Sequence, residues 1–327
     1  MKNEVYVLGL GHYVPEKVLT NQELEKRVET SDEWITTRTG IKERRIADGQ
    51  TCSDLALEAS KIALAQAQLD SHELTHIIVA TFTPDSYIPS AAATLQAKLG
   101  VSNIPCMDVS AACTGFLYGL EVARCICKTY AEAKVLVVAS EIVTSRTNFA
   151  DRRTCVLFGD GAGAVILGSN QTGRARVVDI LLHANGKLGD LLTVTGGGSS
   201  HPPQLGEPID ENYFVQMQGQ EVFKYAVRYM ANVCKDILVK NNLSSEQIDL
   251  FVPHQANVRI IDALRKKLEL DPEKVFVNVQ NYGNTSAASV PLALSEAYAE
   301  GKIKSGDKVL MVAFGGGFTW GSSILQF

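Results

Sequence analysis

Short apolar runs alternate along this chain with longer segments in which apolar residues recur every three to four positions. The short runs predict strands at Val5–Leu8, Ile77–Phe82, Val135–Ala139, Ala164–Leu167, Leu250–Pro253, Val275–Val279 and Val309–Phe314. The longer segments predict helices at Ser53–Ala67, Gly115–Ala131, Gly219–Asn241, Asn257–Leu268 and Ser289–Glu300. Because strands that are apolar on both faces need helices against each face, this alternation indicates an α/β fold.

The two halves of the chain resemble each other. ELTHIIVATFTP at Glu73–Pro84 has a counterpart in QIDLFVPHQAN at Gln247–Asn257. In each half a strand and a small-residue turn into a helix follow, and then a second apolar run, AKVLVVASE or GDKVLMVAFGG. Three matches in one order predict an internal duplication with halves 1–170 and 171–327. Gly196–Pro208, rich in Gly, Ser and Pro, predicts a long surface loop in the second half.

Composition narrows the classes of function. The 327 residues are 46% hydrophobic, which is enough to bury a large core. The net charge of −5 argues against a nucleic-acid-binding surface across the whole protein. No apolar run reaches the roughly 18 residues of a membrane span. The N-terminal apolar stretch is too short for a signal peptide, so we expect a cytoplasmic protein.

The seven cysteines are scattered without the spacing of a disulfide framework, so we expect free thiols. Cys125 and Cys127 form a Cys-x-Cys pair, but no second pair or His cluster follows at zinc spacing. We therefore expect no metal site.

Cys113 is the strongest candidate nucleophile. It lies in Val109–Gly115, where a predicted strand ends and a helix begins between small residues. A helix N-terminus stabilises a thiolate through its dipole and unpaired N–H groups, and those groups can also hold an oxyanion. The alternative for Cys113 is a buried, inert thiol, which is what we expect of the other six cysteines.

Three further segments carry candidate chemistry. His254 follows the predicted strand Leu250–Pro253, and α/β folds bind ligands at such strand ends. Asn284 lies in the turn that corresponds to the Cys113 turn in the other half, so the two turns should approach each other. Three glycines, Gly315–Gly317, let the backbone come close to a ligand after the last predicted strand. The alternatives are an ordinary histidine and structural turns.

Two glycine-rich motifs do not match the sequences of cofactor sites. Gly9 and Gly11 follow the first strand, but Val14 stands where a dinucleotide-binding fingerprint requires its third glycine. Gly159–Ala164 lacks the Lys-Ser/Thr of a phosphate-binding loop, and it predicts a structural turn before a strand.

Taken in order, these segments resemble the β-ketoacyl-acyl-carrier-protein synthase III family from about residue 4 to the C-terminus. The motifs that carry the resemblance are Thr30–Ile35, Arg38–Ile41, Val109–Gly115, Phe158–Ala164, Pro253–Asn257, Gly283–Ser286 and Phe314–Gly321. It implies a thiolase-like α/β fold, in which two duplicated halves form five αβαβα layers, and a homodimer. Thiolases carry a second catalytic Cys in the C-terminal glycine loop, which this chain lacks, and elongating synthases have a histidine where this chain has Asn284.

The same resemblance implies how the site works. It assigns a catalytic triad to Cys113, His254 and Asn284. The implied reaction is the decarboxylative condensation of a short acyl-coenzyme A with malonyl-acyl carrier protein through an acyl-cysteine, and it needs no cofactor. Backbone N–H groups of Cys113 and Gly316 are expected to form the oxyanion hole. The implied coenzyme A contacts are Trp34, Arg38, Arg152 and Asn257.

Further residues are candidates for recognising the substrates. Four cationic residues are candidates for docking the acidic carrier protein, namely Lys224, Arg259, Arg265 and Lys266. By the resemblance, the position of Ile88 lines the end of the acyl pocket from the other subunit, and members that prefer acetyl groups often carry Phe there. Ile88 therefore predicts room for propionyl or butyryl groups. The alternative is an interface residue that does not set chain length.

Three other functions stay open on the sequence. A Cys–His thioester hydrolase would use water as the final acceptor, but it leaves the Asn284 turn unexplained. A binding homologue without activity is disfavoured by intact Cys113, His254 and Asn284. A relative from secondary metabolism that transfers acyl groups to other acceptors would share all of these residues.

Overall fold

The computed structural model describes residues 4–169 and 173–327. Thirteen strands occur in these residues, numbered in chain order: β1 Val5–Tyr13, β2 Val18–Thr20, β3 Glu43–Arg45, β4 His76–Ala80, β5 Cys106–Val109, β6 Lys134–Glu141, β7 Gly161–Ser169, β8 Ala175–Ala184, β9 Leu192–Thr193, β10 Gln216–Met217, β11 Leu250–Pro253, β12 Lys308–Gly315 and β13 Thr319–Gln326. The α-helices in the same residues are α1 Asn21–Glu25, α2 Asp32–Thr39, α3 Cys52–Ala67, α4 Ala91–Lys98, α5 Gly115–Thr129, α6 Arg152–Cys155, α7 Gly219–Lys240, α8 Val258–Leu268, α9 Val279–Tyr282 and α10 Ser289–Ala299. The five helices expected from the sequence all form, with ends within two residues of the prediction.

The main sheet repeats one strand order. Its order is β11-β12-β13-β8-β1-β7-β6-β4-β5, and the two parts join only through a short pairing of β1 with β8. On one side, β4 is parallel to both β5 and β6, and β7 is antiparallel to β6 and β1. On the other side, β11 is parallel to β12, and β13 is antiparallel to β12 and β8. The same connectivity therefore occurs twice, as the matched sequence segments predict.

The predicted strand Val275–Val279 is wrong. Only an isolated parallel bridge joins Val275 to Phe251, and Val279 already begins α9. The buried Gln255 side chain replaces the missing ladder, because its Nε2 donates to the Phe276 carbonyl at 3.1 Å and its Oε1 accepts from the Asn278 N–H at 3.0 Å. A side-chain amide satisfies these backbone groups, so the chain is free to turn away from the sheet.

Three apolar clusters separate five layers of structure. One cluster packs α3 and α4 against the outer face of the β4, β6 and β7 sheet. The second lies around α5 and α10, between the β1-β7-β6-β4-β5 part of the main sheet and its β11-β12-β13-β8 part. The third packs α7 and α8 on the far side of β11 and β12. The layer order is therefore helix, sheet, helix, sheet, helix, which confirms the expected fold class.

The glycine-rich segment Gly159–Ala164 is not the turn that the sequence predicts, because β7 already begins at Gly161. Helix α10 lies directly against this strand. A Cβ added at Gly163 would lie 2.5 Å from the Leu292 nitrogen and 2.7 Å from the Pro291 carbonyl carbon. The glycine thus allows a backbone-to-backbone approach between strand and helix.

Strands β8 and β13 were not predicted, because polar residues such as Asp179, Ser322 and Ser323 interrupt their apolar pattern. Residues 194–210 contain no helix or strand and are mostly exposed, so the predicted surface loop is confirmed. The predicted boundary between residues 170 and 171 lies outside the described residues and stays a prediction.

All seven cysteines are free thiols, as expected. No helix in residues 4–169 or 173–327 combines the length and apolar character that a bilayer span requires. In the same residues, no cluster of three or more His, Cys, Asp or Glu side chains is arranged to hold a metal ion.

We predict that Gly163→Ala destabilises the protein by about 1–3 kcal/mol, because the added methyl group forces strand and helix apart. Gly186→Ala is the matched control, since no atom lies within 4 Å of a Cβ at that position. Urea denaturation followed by fluorescence compares the two variants. Equal midpoints for both variants would contradict the close packing of α10 on β7.

Candidate active site

One cavity of about 1110 Å³ brings together the residues that the sequence singles out for chemistry. Cys113, His254, Asn284 and Gly316 all line it. They come from four separate segments, at the ends of β5, β11 and β12 and after α9. The convergence places ligand-facing groups at the carboxyl ends of strands, as expected for an α/β fold.

The Cys113 turn and the Asn284 turn have the same construction. In each, a non-glycine residue with positive φ, Ala112 at 46° or Ser286 at 51°, opens a single 3-10 turn that leads directly into α5 or α10. The turns touch, since a Cβ added at Gly115 would lie 3.4 Å from the Ala287 Cβ. The predicted approach of the two turns is therefore confirmed.

Cys113 is buried and does not have the low pKa expected for a thiol at a helix start. Burial raises the pKa of Cys113 to about 12, and the neighbouring Ser286 side chain opposes this rise only in part. Because α5 begins only at Gly115, Cys113 precedes the first helical residue by two positions. Loss of hydration outweighs the favourable backbone environment, and the resting thiol is protonated at neutral pH.

His254 is a neutral hydrogen-bond donor. Its backbone N–H donates to the Val312 carbonyl at 2.8 Å, which continues the pairing of β11 with β12 beyond the strand end. Burial lowers the pKa of the His254 imidazole to about 4. Its Nδ1 lies 2.5 Å from the Ser289 hydroxyl, which also accepts from the Gln255 N–H at 3.4 Å. Assigned from this network, the Ser289 hydroxyl donates to Nδ1, so Nε2 carries the ring proton.

Asn284 is held by its backbone and by one side of its amide. Its N–H donates to the Leu157 carbonyl at 2.8 Å, and its carbonyl accepts from the Gly159 N–H at 3.1 Å. The side-chain Oδ1 accepts from the Ser286 N–H at 2.8 Å. Because the Oδ1 atom is occupied in this way, the Nδ2 group is left to donate into the cavity.

The three glycines Gly315–Gly317, the glycine run, pack closely against the Cys113 turn. A Cβ at Gly315 would lie 2.6 Å from the Cys113 nitrogen, so only glycine fits there. Two hydroxyls fix this contact: Thr319 Oγ1 donates to the Ala111 carbonyl at 2.9 Å, and Thr114 Oγ1 donates to the Thr319 carbonyl at 3.1 Å. The backbone of the run therefore faces the position where an acyl group on Cys113 would lie.

The predicted coenzyme A residues form a stack beside the cavity. The guanidinium groups of Arg38 and Arg152 each lie 5.1 Å from the centre of the Trp34 ring. Arg38 also lines the cavity, whereas Trp34 and Arg152 do not. Asn257 lines it too, but its amide is engaged, since Oδ1 caps α8 at the Arg259 N–H and Nδ2 donates to the Arg38 carbonyl.

Three of the four predicted docking residues border the cavity or the depression beside it, and their docking role stays a prediction. Lys224 and Arg259 are exposed and line the cavity, and Arg259 and Lys266 also line a smaller neighbouring depression. Arg265 lies outside both. Lys224 pairs with a glutamate on α7, and Arg265 and Lys266 both pair with Asp262. Within residues 4–169 and 173–327, Arg259 is the member of the four that has no carboxylate partner.

Ile88 does not line the cavity of its own chain. Its side chain is 90% exposed, beside the exposed Tyr87. The predicted contact with an acyl pocket across a dimer is not tested by a single chain, and it stays a prediction.

Several residues of the site could not be identified from the sequence. Ser286 and Ser289 contact the thiol and the imidazole, and Glu141 lies behind Ser286. Thr114 and Thr319 join the two backbones around Cys113. The only signal in the sequence is their closeness to Cys113, Asn284 and the glycine run.

Comparisons with known proteins agree with this geometry. The family model for 3-oxoacyl-[acyl-carrier-protein] synthase III matches residues 107–186, and the model for its C-terminal part matches residues 238–327. The β-ketoacyl-[acyl-carrier-protein] synthase III of Oleidesulfovibrio alaskensis is 54% identical, with 100% of each chain covered. That of Caldanaerobacter subterraneus is 51% identical, with 98% of this chain and 97% of the relative covered.

Solved structures give the same result. The 3-oxoacyl-[acyl-carrier-protein] synthase III of Aquifex aeolicus superposes with a TM-score of 0.91 at 48% identity, covering 99% of this chain and 100% of that one. The priming β-ketosynthase of the R1128 polyketide pathway reaches 0.91 at 32% identity, covering 99% and 97%. The sequence motifs, the layered fold and these similarities together establish that the chain belongs to the β-ketoacyl-[acyl-carrier-protein] synthase III family.

Proposed function

We propose that this protein condenses a short acyl-coenzyme A with malonyl-acyl carrier protein and releases carbon dioxide and a β-ketoacyl-carrier protein. The observation that carries the proposal is the convergence of Cys113, His254 and Asn284 in one cavity, where all three residues are buried. The cavity offers one nucleophile and two neutral hydrogen-bond donors. Decarboxylative condensation needs both, because it joins acyl transfer to the stabilisation of an enolate.

In the first half-reaction, the Cys113 sulfur attacks the thioester carbonyl of acyl-coenzyme A. Backbone N–H groups of Cys113 and Gly316 then hold the oxyanion, and the close packing of Gly315 on the Cys113 nitrogen supports this assignment. The coenzyme A thiolate leaves, and the acyl group stays on sulfur. The second substrate enters only after this departure, so we expect ping-pong kinetics.

In the second half-reaction, His254 Nε2–H and Asn284 Nδ2 donate to the thioester oxygen of the malonyl group. Negative charge develops on that oxygen as carbon dioxide departs, and preorganised donors stabilise the enolate. Because burial lowers the pKa of His254 to about 4, the ring is neutral at pH 7 and donates a hydrogen bond without bringing a positive charge. The enolate carbon then attacks the acyl carbon on Cys113 and expels the thiolate.

Coenzyme A is proposed to enter past the cationic side of the cavity. Trp34, Arg38 and Arg152 offer an aromatic face and two planar guanidiniums, all suited to stacking on adenine. Because Arg152 already lies over Trp34, adenine would displace or extend this stack. Asn257 lines the cavity beside Arg38, where its side chain can contact the pantetheine arm.

The partners are proposed to be an acyl carrier protein and a second copy of this chain, and the location the cytoplasm. The exposed Ile88 suits a contact with another subunit.

Incubation with acetyl-coenzyme A alone distinguishes the proposed condensation from the rival function, thioester hydrolysis. A hydrolase turns over continuously, whereas a synthase stops as the acyl-enzyme. Activity with a panel of acceptors that includes malonyl-carrier protein would distinguish the proposed enzyme from an acyltransferase of secondary metabolism, which uses other acceptors.

One prediction from the proposed function concerns the triad. His254→Ala and Asn284→Ala should each slow decarboxylation of malonyl-carrier protein by roughly 10²–10³, because each removes one donor to the enolate. Cys113→Ala should abolish acyl transfer but retain decarboxylation, since the enolate donors remain. Release of labelled carbon dioxide and intact-protein mass spectrometry measure the two steps. His72→Ala is the control, because His72 is exposed and does not line the cavity. If the His254 variant loses acylation and keeps decarboxylation, His254 is a base for the thiol instead.

A second prediction concerns the carrier protein. Arg259→Glu should raise the KM for malonyl-carrier protein and weaken its dependence on salt, because Arg259 is exposed at the cavity and unpaired among the described residues. The KM for acetyl-coenzyme A should change less. Lys267→Glu makes the same charge change at an exposed site on α8 outside both depressions. Equal effects of the two variants would show that Arg259 has no specific contact.

A third prediction concerns the starter. Ile88→Phe should lower kcat/KM for butyryl-coenzyme A relative to acetyl-coenzyme A by roughly 10-fold or more, the cost of about one methylene in an apolar pocket. Ile62→Phe, at a partly exposed isoleucine on α3, is the control. The measurement is kcat/KM for acetyl, propionyl and butyryl starters. A wild-type enzyme that already rejects butyryl as strongly as the variant does would remove Ile88 from chain-length selection.

A further inference from the structure

A carboxyl group without a cationic partner is buried behind the active site. Glu141 is the last residue of β6 and is fully buried. Within residues 4–169 and 173–327, it forms no salt bridge. Three donors satisfy its Oε2: Thr81 Oγ1 at 3.0 Å, Thr83 Oγ1 at 2.6 Å and the Phe82 N–H at 3.2 Å. Because burying a carboxylate is costly, such a group suggests a use in chemistry.

The second oxygen of Glu141 faces the nucleophile through one hydroxyl. Its Oε1 accepts from Ser286 Oγ at 3.2 Å. The Ser286 side chain also lowers the pKa of the Cys113 thiol, and both residues line the cavity, so the hydroxyl lies beside the sulfur. Cys113, Ser286 and Glu141 therefore lie in series, and all three residues are buried.

The backbone holds Ser286 in this bridging position. Its φ of 51° lies in the left-handed region, which is unfavourable for a serine, and its N–H donates to Asn284 Oδ1. Residues kept in such strained conformations concentrate at functional sites. Here the conformation directs one hydroxyl at both the thiol and the carboxylate.

We propose that Glu141 stores the Cys113 proton between the two half-reactions, and that Ser286 carries this proton in both directions. In acyl transfer the S–H bond breaks and its electron pair forms the new S–C bond. Ser286 takes that proton and passes its own proton to Glu141 Oε1. The coenzyme A thiolate takes a proton from solvent. When the enolate later expels the Cys113 thiolate, the stored proton returns through Ser286, so the cycle balances.

Proton affinities favour Glu141 over His254 as the acceptor. The Cys113 thiol holds its proton more tightly than Glu141 does, so formation of the S–C bond drives the transfer. Burial raises the pKa of Glu141 to about 7, whereas burial lowers the pKa of His254 to about 4. Glu141 is therefore the stronger base at neutral pH. His254 also presents a protonated Nε2 to the cavity, because its Nδ1 is occupied by Ser289.

Few other titrating groups face Glu141. The Cys52 thiol on α3 contacts Thr81, and burial raises its pKa to about 12, so it stays neutral. Asp160 precedes Gly161, the residue that pairs with Glu141 in the sheet, but Thr144 and the Ala47 N–H hold its carboxylate. Cys113 itself is the third.

The test rests on the proposed function, in which Cys113 takes up the acyl group. Rapid quenching and mass spectrometry of Cys113 give the acylation rate with acetyl-coenzyme A between pH 5.5 and 9. The wild-type rate should rise through about pH 7, as Glu141 loses its proton and becomes able to accept another. Glu141→Gln and Ser286→Ala should each lose this rise and acylate roughly 10²-fold more slowly, the usual worth of a general base.

Two further measurements separate proton transfer from structural damage. The double variant should be no slower than either single variant, since both remove one path. In each variant the rate of acylation should fall more than the rate of decarboxylation of malonyl-carrier protein, whereas a distorted site would lower both rates. A pH-indicator dye should record proton uptake in the acylation burst of the wild type that Ser286→Ala lacks. Asp160→Asn neutralises a buried carboxyl outside the path and is the matched control.

Ser286→Ala with the wild-type rate and pH profile would overturn the proposal, whatever Glu141→Gln does. A pH profile in wild type that lacks the rise near pH 7 would overturn it as well. Absence of any acyl group on Cys113 in the wild type would instead overturn the proposed function.

Discussion

The active site depends on the close approach of three backbones around Cys113. Gly315 leaves no room for a side chain beside the Cys113 nitrogen, and Gly115 lies against the Ala287 methyl group. Two threonine hydroxyls tie the contact together. Because these backbones come from both halves, the cavity forms only when the five layers are packed. The catalytic geometry is therefore a property of the whole fold rather than of a single loop.

Burial decides the protonation states of the site. The same loss of hydration that raises the pKa of Cys113 to about 12 lowers that of His254 to about 4. The resting pair is thus a neutral thiol and a neutral imidazole, not the thiolate–imidazolium pair of many cysteine hydrolases. Such a site offers hydrogen bonds rather than a fixed positive charge, which suits an enolate that must be stabilised and then react.

The sequence predicted the family, the α/β class and the layered arrangement, because apolar periodicity and motif order can be read without knowing which residues are in contact. It also predicted that the turns carrying Cys113 and Asn284 would meet. It failed where a side chain replaces backbone pairing, as Gln255 does for the predicted strand at Val275. The sequence also could not show which side chains are buried, so it predicted neither the raised pKa of Cys113 nor the buried carboxyl group of Glu141.

The matched turns have a consequence for how the two halves can change. Ala112 and Ser286 occupy equivalent places, share a left-handed backbone and begin the same kind of helix entry. The conformation is thus kept in both copies while the side chain differs, a methyl group in one and a hydroxyl in the other. The backbone shape at this position is thus shared by the two halves, whereas its side-chain chemistry is not. The first half carries Cys113, and the second carries His254 and Asn284.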